Sequence, residues 1–272
     1  MKKILAVSGG IDSMVLFDQF KNDPDAIVAH FNHGTRPSAD DDQKFVASIA
    51  KKYRRPFYTE KQNLGANVSE EQARTARYEF LQKIAKTQNG KIYTAHHADD
   101  LAESIAINLI RGTGWRGLIP LDNAEIVRPM LHYTKTEILE YAATHQITFR
   151  EDPTNTEEKY LRNRLRPLLK RAPEKPELIK LSAAQKELKS QIDQIVQNLL
   201  PKTHIYQRAW FNELPDEVAI EILRAGLAQI SVSATRPKIQ EFLAAIRTYA
   251  PEKSFNLPGN RLVKLHKTYF TL

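Results

Sequence analysis

The chain has 272 residues, 42% of them hydrophobic, which allows one large or two ordinary domains with a real core. It has no cysteine, which excludes disulfides, thiolate metal sites, iron–sulfur clusters and a cysteine nucleophile. No apolar run approaches the roughly 20 residues that span a bilayer, and the formal net charge of +8 suits either a polyanionic partner or a solvated basic surface.

The N-terminus is positive, but its apolar stretch is short and runs into Gly9-Gly10, so it reads as a first strand and not as a signal peptide. Apolar, β-branched runs then recur at Ile4–Val7, Ala26–Phe31, Phe57–Thr59, Ile92–Ala95 and Ile126–Val127. Helical patterns separate them at Asp12–Phe20, Ser38–Tyr53, Ser69–Thr87 and Ala98–Arg111. Ser69 with Gln72, and Thr134 with Glu137, have the spacing of capping boxes at helix starts. Strands alternating with helices predict βαβ units, an α/β fold with a mostly parallel sheet, and a ligand beyond the carboxyl ends of the strands.

The alternation stops near residue 150. Asp152-Pro153-Thr154-Asn155 signals a turn, and a basic helical stretch, Lys159 to Arg171, follows it. Pro173 and Pro176 precede a long helix over Glu177–Leu200, with Leu178, Leu181, Leu188, Ile192, Ile195 and Leu199 at helical spacing. Two more helices are predicted near Asp216–Gln229 and Arg236–Tyr249, then a hairpin through Pro258-Gly259-Asn260. The predicted organisation is a catalytic domain over 1–172, a linking helix over 173–200, and a small, mainly helical domain over 201–272 that ends in the hairpin.

The most informative stretch is Ser8-Gly9-Gly10-Ile11-Asp12-Ser13, between the first strand and the first helix. Its glycines let the backbone approach an anion, its turn exposes successive amide N–H groups at the positive N-terminus of a helix, and its serines add hydroxyl donors. A carboxylate in a phosphate loop makes sense when Mg²⁺ stands between the two, which points to Asp12 as a metal ligand. The spacing is not that of the Walker loop.

This loop resembles that of the ATP pyrophosphatases (the PP-loop superfamily), and other motifs are similar to those of the tRNA(Ile)-lysidine synthetase family. They are Asn32-His33-Gly34-Thr35-Arg36-Pro37-Ser38-Ala39-Asp40, Ala73-Arg74-Thr75-Ala76-Arg77-Tyr78, His96-His97-Ala98-Asp99-Asp100-Leu101-Ala102-Glu103-Ser104, Arg111-Gly112-Thr113-Gly114, Arg128-Pro129-Met130-Leu131, and Asp152-Pro153-Thr154-Asn155 with Arg162-Asn163-Arg164-Leu165-Arg166. The resemblance implies a Rossmann-like, adenine-nucleotide-hydrolase-type sheet with helices on both faces, and a two-step reaction. ATP activates carbon 2 of the wobble cytidine of a CAU-anticodon isoleucine tRNA, releasing pyrophosphate. The ε-amine of free L-lysine then displaces AMP.

That chemistry needs a triphosphate site, a metal, a grip on a cationic amino acid and a proton acceptor. Asp100 and Glu103 share one helix face, with His96 at or before the helix start. These groups can bind Mg²⁺, hold lysine or accept a proton; the resemblance associates Asp100 and Glu103 with substrate and metal. Leu101 and Ser104 stand where the family usually has Gln and Thr, so the role of the amide at 101 does not carry over. Arg74 and Arg77 lie at i and i+3, with guanidiniums suited to phosphate; the resemblance puts one of them, preferably Arg77, near the ATP phosphates or the reacting base. His33 and Arg36 follow the second strand. Gly112 and Gly114 either admit a nucleotide or tRNA closely or end a helix. Lys159, Arg162, Arg164, Lys170, Arg171, Lys175 and Lys180 suit tRNA phosphates, Tyr160 suits base stacking or core packing, and Arg166 suits either tRNA or the active site.

A sulfur-inserting tRNA enzyme would rely on cysteines, which this chain lacks. Another adenylating ligase and a non-catalytic RNA-binding module are the rivals, and three acids beside a phosphate loop argue against the module. The resemblance further implies a cytoplasmic protein, a homodimer, and a chain without the extra C-terminal domain of longer relatives.

Overall fold

A computed structural model describes residues 1–34, 39–63, 65, 68–150, 161–171 and 175–272. The chain divides into two compact units. One holds Met1–Thr113 and Gly117–Ser182; the other holds Gly114–Arg116 and Ala183–Leu272. Among the described residues no helix is long and apolar enough to cross a membrane.

The first unit is built on β1 (Lys2–Ala6), β2 (Ala26–Asn32), β3 (Phe57–Lys61), β4 (Gly90–Tyr93) and β5 (Ile126–Val127). All pair in parallel, in the order β3-β2-β1-β4-β5. The order reverses between β1 and β4, which is where a parallel α/β sheet opens a crevice for a ligand. The helices are α1 (Ile11–Phe20), α2 (Ala39–Lys52), α3 (Glu70–Thr87), α4 (Ala98–Ile110), α5 (Lys135–Thr144) and α6 (Leu161–Arg171); α7 (Lys175–Leu199) begins in this unit and ends in the other.

Strand alternation sets the two faces. Ile4, Ile27, Ala29, Phe31 and Ile92 pack on Phe80, Leu81 and Ile84 of α3. Leu5, Val7, Ala26 and Val28 pack on Met14 and Phe17 of α1 and Val46 and Ala50 of α2. On a further side of α1, Val15 and Leu16 meet Ile138 and Ala142 of α5. Both capping boxes form: Ser69 Oγ accepts from the Gln72 amide at 3.2 Å, and Glu137 Oε2 accepts from the Thr134 amide at 2.7 Å. Strand ends shift from the sequence reading. β1 starts at Lys2 and β4 at Gly90, because Lys2 and Lys3 pair with Gly90 and Lys91 through backbone groups that an apolar pattern does not register.

In the second unit, β6 (Ile205–Gln207), α8 (Arg208–Glu213), α9 (Asp216–Gln229), α10 (Arg236–Thr248), β7 (Lys253–Leu257), β8 (Arg261–Leu265) and β9 (Tyr269–Thr271) enclose a separate core. The predicted hairpin is β7–β8, turning at Pro258–Asn260. It is half of a four-stranded sheet, β6-β9-β8-β7. Strands β6 and β9 are three residues each, too short for periodicity to reveal, and pair across a long stretch of chain, Tyr206 opposite Phe270.

Candidate active site

The loop after β1 is braced by one side chain. Ser13 Oγ accepts from the amides of Ser8 and Gly9, each at 3.1 Å, and donates to the Gly10 carbonyl at 2.8 Å. Gly9 has φ +96°, a conformation that side-chain-bearing residues rarely adopt. Gly10 caps α1 without a side-chain hydrogen bond to the first-turn amides, so the helix presents its positive end at the loop. Behind the loop, the Arg150 amide donates to the Gly9 carbonyl at 2.9 Å, and Arg150 Nε lies 2.6 Å from Oδ1 of the buried Asp42 on α2.

Asp12, in the first turn of α1, points toward the neighbouring strand end and is bonded by Lys135 Nζ at the start of α5. The Lys135 amide donates to Asp99 Oδ2 at 2.8 Å, and Lys175 Nζ donates to Asp99 Oδ1 at 2.6 Å. Burial raises the Asp99 pKa, but Lys175 and the Lys135 amide outweigh it and hold the carboxyl below its ordinary value. His97 is buried among these acids. Its Nε2 is 3.5 Å from Asp100 Oδ2 and 3.9 Å from Asp12 Oδ1, and its Nδ1 is 3.9 Å from Asp99 Oδ2, with no hydrogen-bond partner. Asp100 Oδ2 also accepts from the His97 amide at 3.1 Å and so caps α4.

Glu103, one turn further along α4, is buried and gripped bidentately by Arg166 of α6, at 2.7 and 3.2 Å. His96 instead meets Thr94, its Nδ1 2.7 Å from the hydroxyl at the end of β4. Leu101 is buried, so the hydrocarbon that replaces the family's amide sits in the apolar interior.

The structure therefore gathers Ser8–Ser13, Asp12, Asp100, Glu103 and Arg166 at the carboxyl ends of β1 and β4. His33 and Gly34 follow β2, where Asn32 Oδ1 accepts from the Gly34 amide at 2.9 Å. Arg36, Lys159, Tyr160, Asp152–Asn155 and Pro173 lie outside the described residues. Arg74 and Arg77 stand over the Tyr78 ring, 4.8 and 5.6 Å from its centroid. Gly112, with φ +67°, follows the last residues of α4 as a helix-ending glycine, its amide 3.0 Å from the Leu109 carbonyl. Gly114 belongs to the second unit and lies against Arg236 there.

His97, Asp99, Lys135, Asp42 and Arg150 are contributors that motif reading passed over, and Lys175, read from the sequence as a tRNA-phosphate contact, is paired with Asp99. His97 and Asp99 lie inside the quoted motif; the others are brought in from distant parts of the chain and leave no local signal. Among the described residues no three His, Asp or Glu side chains are grouped as a metal cage. Asp12 beside the loop fits the other mode of holding Mg²⁺, one or two carboxylates completed by phosphate oxygens.

Residues 1–172 match the family model of the PP-loop domain. Over 270 residues the chain is 32% identical to the tRNA(Ile)-lysidine synthase of Wolbachia pipientis wMel, covering 88% of this chain and 62% of that protein. Over 183 residues it is 38% identical to the bifunctional protein TilS/HprT of Listeria monocytogenes, covering 61% of this chain and 28% of that one. The chain thus spans less than two thirds of either relative. Among solved structures, the U34-tRNA thiolase NcsA from Methanococcus maripaludis, described with its [4Fe-4S] cluster, shares the fold. The TM-score is 0.56 at 16% identity, over 69% of this chain and 72% of that one. The chain belongs to the PP-loop family.

Proposed function

We propose that the protein ligates free L-lysine to carbon 2 of the wobble cytidine of a CAU-anticodon isoleucine tRNA, using ATP and releasing AMP and pyrophosphate. The observation that carries this reading is the meeting of a braced phosphate loop with a buried histidine and its acids at one sheet edge, in a chain of this family. In the first step the cytidine O2 attacks the α-phosphorus of ATP, and the bond to pyrophosphate breaks. In the second, the lysine ε-amine attacks carbon 2, the C–O bond to AMP breaks, and the amine gives up a proton.

The open positive end of α1 at Gly10 and Ile11, with the hydroxyl of Ser8, holds the departing pyrophosphate, and Ser13 and Gly9 keep the loop in shape for it. Mg²⁺, held by Asp12 and phosphate oxygens, would neutralise charge that develops there; Glu103, the other metal candidate of the sequence, has both oxygens on Arg166. Arg77 is the guanidinium assigned to the nucleotide. Asp100 holds the α-ammonium of lysine, which leaves the ε-amine free to attack. His97 or His96 takes the proton. Glu103 and Arg166 keep α4 and α6 together around the site. The second unit contacts the tRNA, and the protein acts in the cytoplasm as a homodimer.

The test is to mix protein, ATP, Mg²⁺ and radiolabelled lysine with an unmodified CAU-anticodon isoleucine tRNA transcript, and to count label in acid-precipitated RNA. Label that survives mild alkaline deacylation, and is absent with elongator methionine tRNA, is the expected result. AMP release without label in RNA would favour another adenylating ligase of the superfamily.

A further inference from the structure

The carbonyls of the phosphate loop are tied down from behind. The Val7 carbonyl accepts from His30 Nδ1 at 2.9 Å and the Gly9 carbonyl from the Arg150 amide at 2.9 Å. The Gly10 carbonyl accepts from Ser13 Oγ at 2.8 Å and from the Met14 amide at 3.0 Å. In a trans peptide the N–H points away from the C=O of the same unit. Fixing the Gly9 carbonyl toward Arg150 therefore turns the Gly10 amide to the opposite side, where it meets the Ser8 hydroxyl at a long 3.4 Å. Fixing the Gly10 carbonyl does the same for the Ile11 amide. These two amides open the start of α1 to an anion.

Ser13 and Met14 belong to α1 itself, whereas Arg150 comes from the far side of α5. Its side chain anchors it: Nε lies 2.6 Å from Asp42 Oδ1, with the aspartate side chain 8% exposed and the arginine 41%. Asp42 sits on the face of α2 that supports the loop. Phe45 and Val46 follow it at i+3 and i+4, and a Cβ added to Gly9 would stand 3.6 Å from Phe45 Cδ1 and 3.5 Å from Val46 Cγ2. A buried carboxylate is costly without its partner, so the pair settles in one geometry and the Arg150 backbone with it.

We propose that Asp42 and Arg150 are positioning residues for nucleotide binding: their ion pair holds the Arg150 amide on the Gly9 carbonyl and so aims the Gly10 amide at the β- and γ-phosphates of ATP. The assignment rests on the reading of the Ser8–Ser13 loop as the ATP phosphate site. Both side chains act through the loop backbone, so their effect should be confined to the phosphates that the loop holds.

The test measures the affinities of ATP and of AMP, with Mg²⁺ and without RNA, by calorimetry. The proteins are the wild type, Arg150→Met, Asp42→Asn and the double variant. Ile84→Val, in the core on the other face of the sheet, is the control. For Arg150→Met we expect ATP binding about tenfold weaker, the worth of one hydrogen bond to a charged group, and for Asp42→Asn at least about threefold weaker. The double variant should bind no worse than the weaker single one, within about twofold, because both changes break the same link. AMP, which lacks the β- and γ-phosphates, should bind all the proteins alike. If Arg150→Met does not fold, Asp42→Asn, which keeps its shape, is read in the same way. ATP affinities that match Ile84→Val would overturn the proposal, and so would equal losses for ATP and AMP. A loss with Arg150→Met but none with Asp42→Asn would overturn it in favour of direct contact between the guanidinium and a phosphate. A wild type that binds no ATP would remove the underlying reading of the loop, whatever the variants do.

Discussion

Arg166 lies flat along the Glu103 carboxylate, Nε on Oε1 at 2.7 Å and Nη2 on Oε2 at 3.2 Å, and ties α6 to α4 across 63 residues of chain. The glutamate side chain is 3% exposed and the arginine 42%. A buried carboxylate that loses its partner is costly, while the half-exposed arginine is partly screened. We expect Arg166→Ala to lower stability by about 2–3 kcal/mol. The Glu103→Gln, Arg166→Met double variant should lose less than the sum of its single changes, with a coupling of roughly 1–3 kcal/mol in urea melts. Additive losses would mean that the fork holds nothing together.

Lys135 joins the loop to α4 by another route. Its ammonium bonds Asp12 and its amide bonds Asp99. The side chains of Lys135 and Asp12 are 31% and 34% exposed, so the bridge should add little to stability, about 0–1 kcal/mol. Its effect belongs in the reaction, where a fixed charge beside transferring phosphates is worth far more. Lys135→Met should melt within a few degrees of the wild type and release AMP about 10²-fold more slowly. An unchanged rate would restrict Lys135 to a structural role.

Much of this site was legible in the sequence, for identifiable reasons. Ser8–Ser13, Asp100 and Glu103 lie within contiguous motifs, and the five parallel strands announced themselves by alternation. The parts that were hidden depend on tertiary neighbours. Nothing near Lys135 says that it meets Asp12, or near Arg150 that it meets Asp42. The choice between His96 and His97 depends on which way each points at a helix start, since Thr94 takes one and the acids surround the other. Gly112 could be read two ways, and its φ of +67° after α4 gives it a helix-ending place.

The second unit offers a packing test. Tyr206 is 1% exposed and its hydroxyl has no hydrogen-bond partner. It presses on Gly226 of α9, where an added Cβ would stand 2.9 Å from Leu272 Cδ1 and closer still to the Tyr206 hydroxyl. Gly226→Ala should therefore cost about 1–3 kcal/mol, despite alanine's higher helix propensity. Tyr206→Phe removes an unsatisfied buried hydroxyl; it should be neutral or stabilising by up to about 1 kcal/mol, and should relieve part of the Gly226→Ala loss. Thermal melts of the four proteins decide the matter. A Tyr206→Phe loss above about 1 kcal/mol would show that the hydroxyl is satisfied in solution.

Asp99 gives the site a pH dependence of defined sign. Burial opposes its ionisation, but Lys175 and the Lys135 amide favour the charged form and win, so its folded pKa lies below the unfolded value. A carboxyl depressed in this way contributes stability that is fully present above its unfolded pKa, about 3.9, and is lost as pH falls through the folded pKa. Wild type should thus exceed Asp99→Asn in stability at pH 7, and the gap should close as pH drops below about 4. Urea melts of both proteins at neutral pH and down to about pH 3 measure it. A gap that stays constant across that range would show that the charge on Asp99 does not differ between the folded and unfolded chains, and that its two partners act on shape alone.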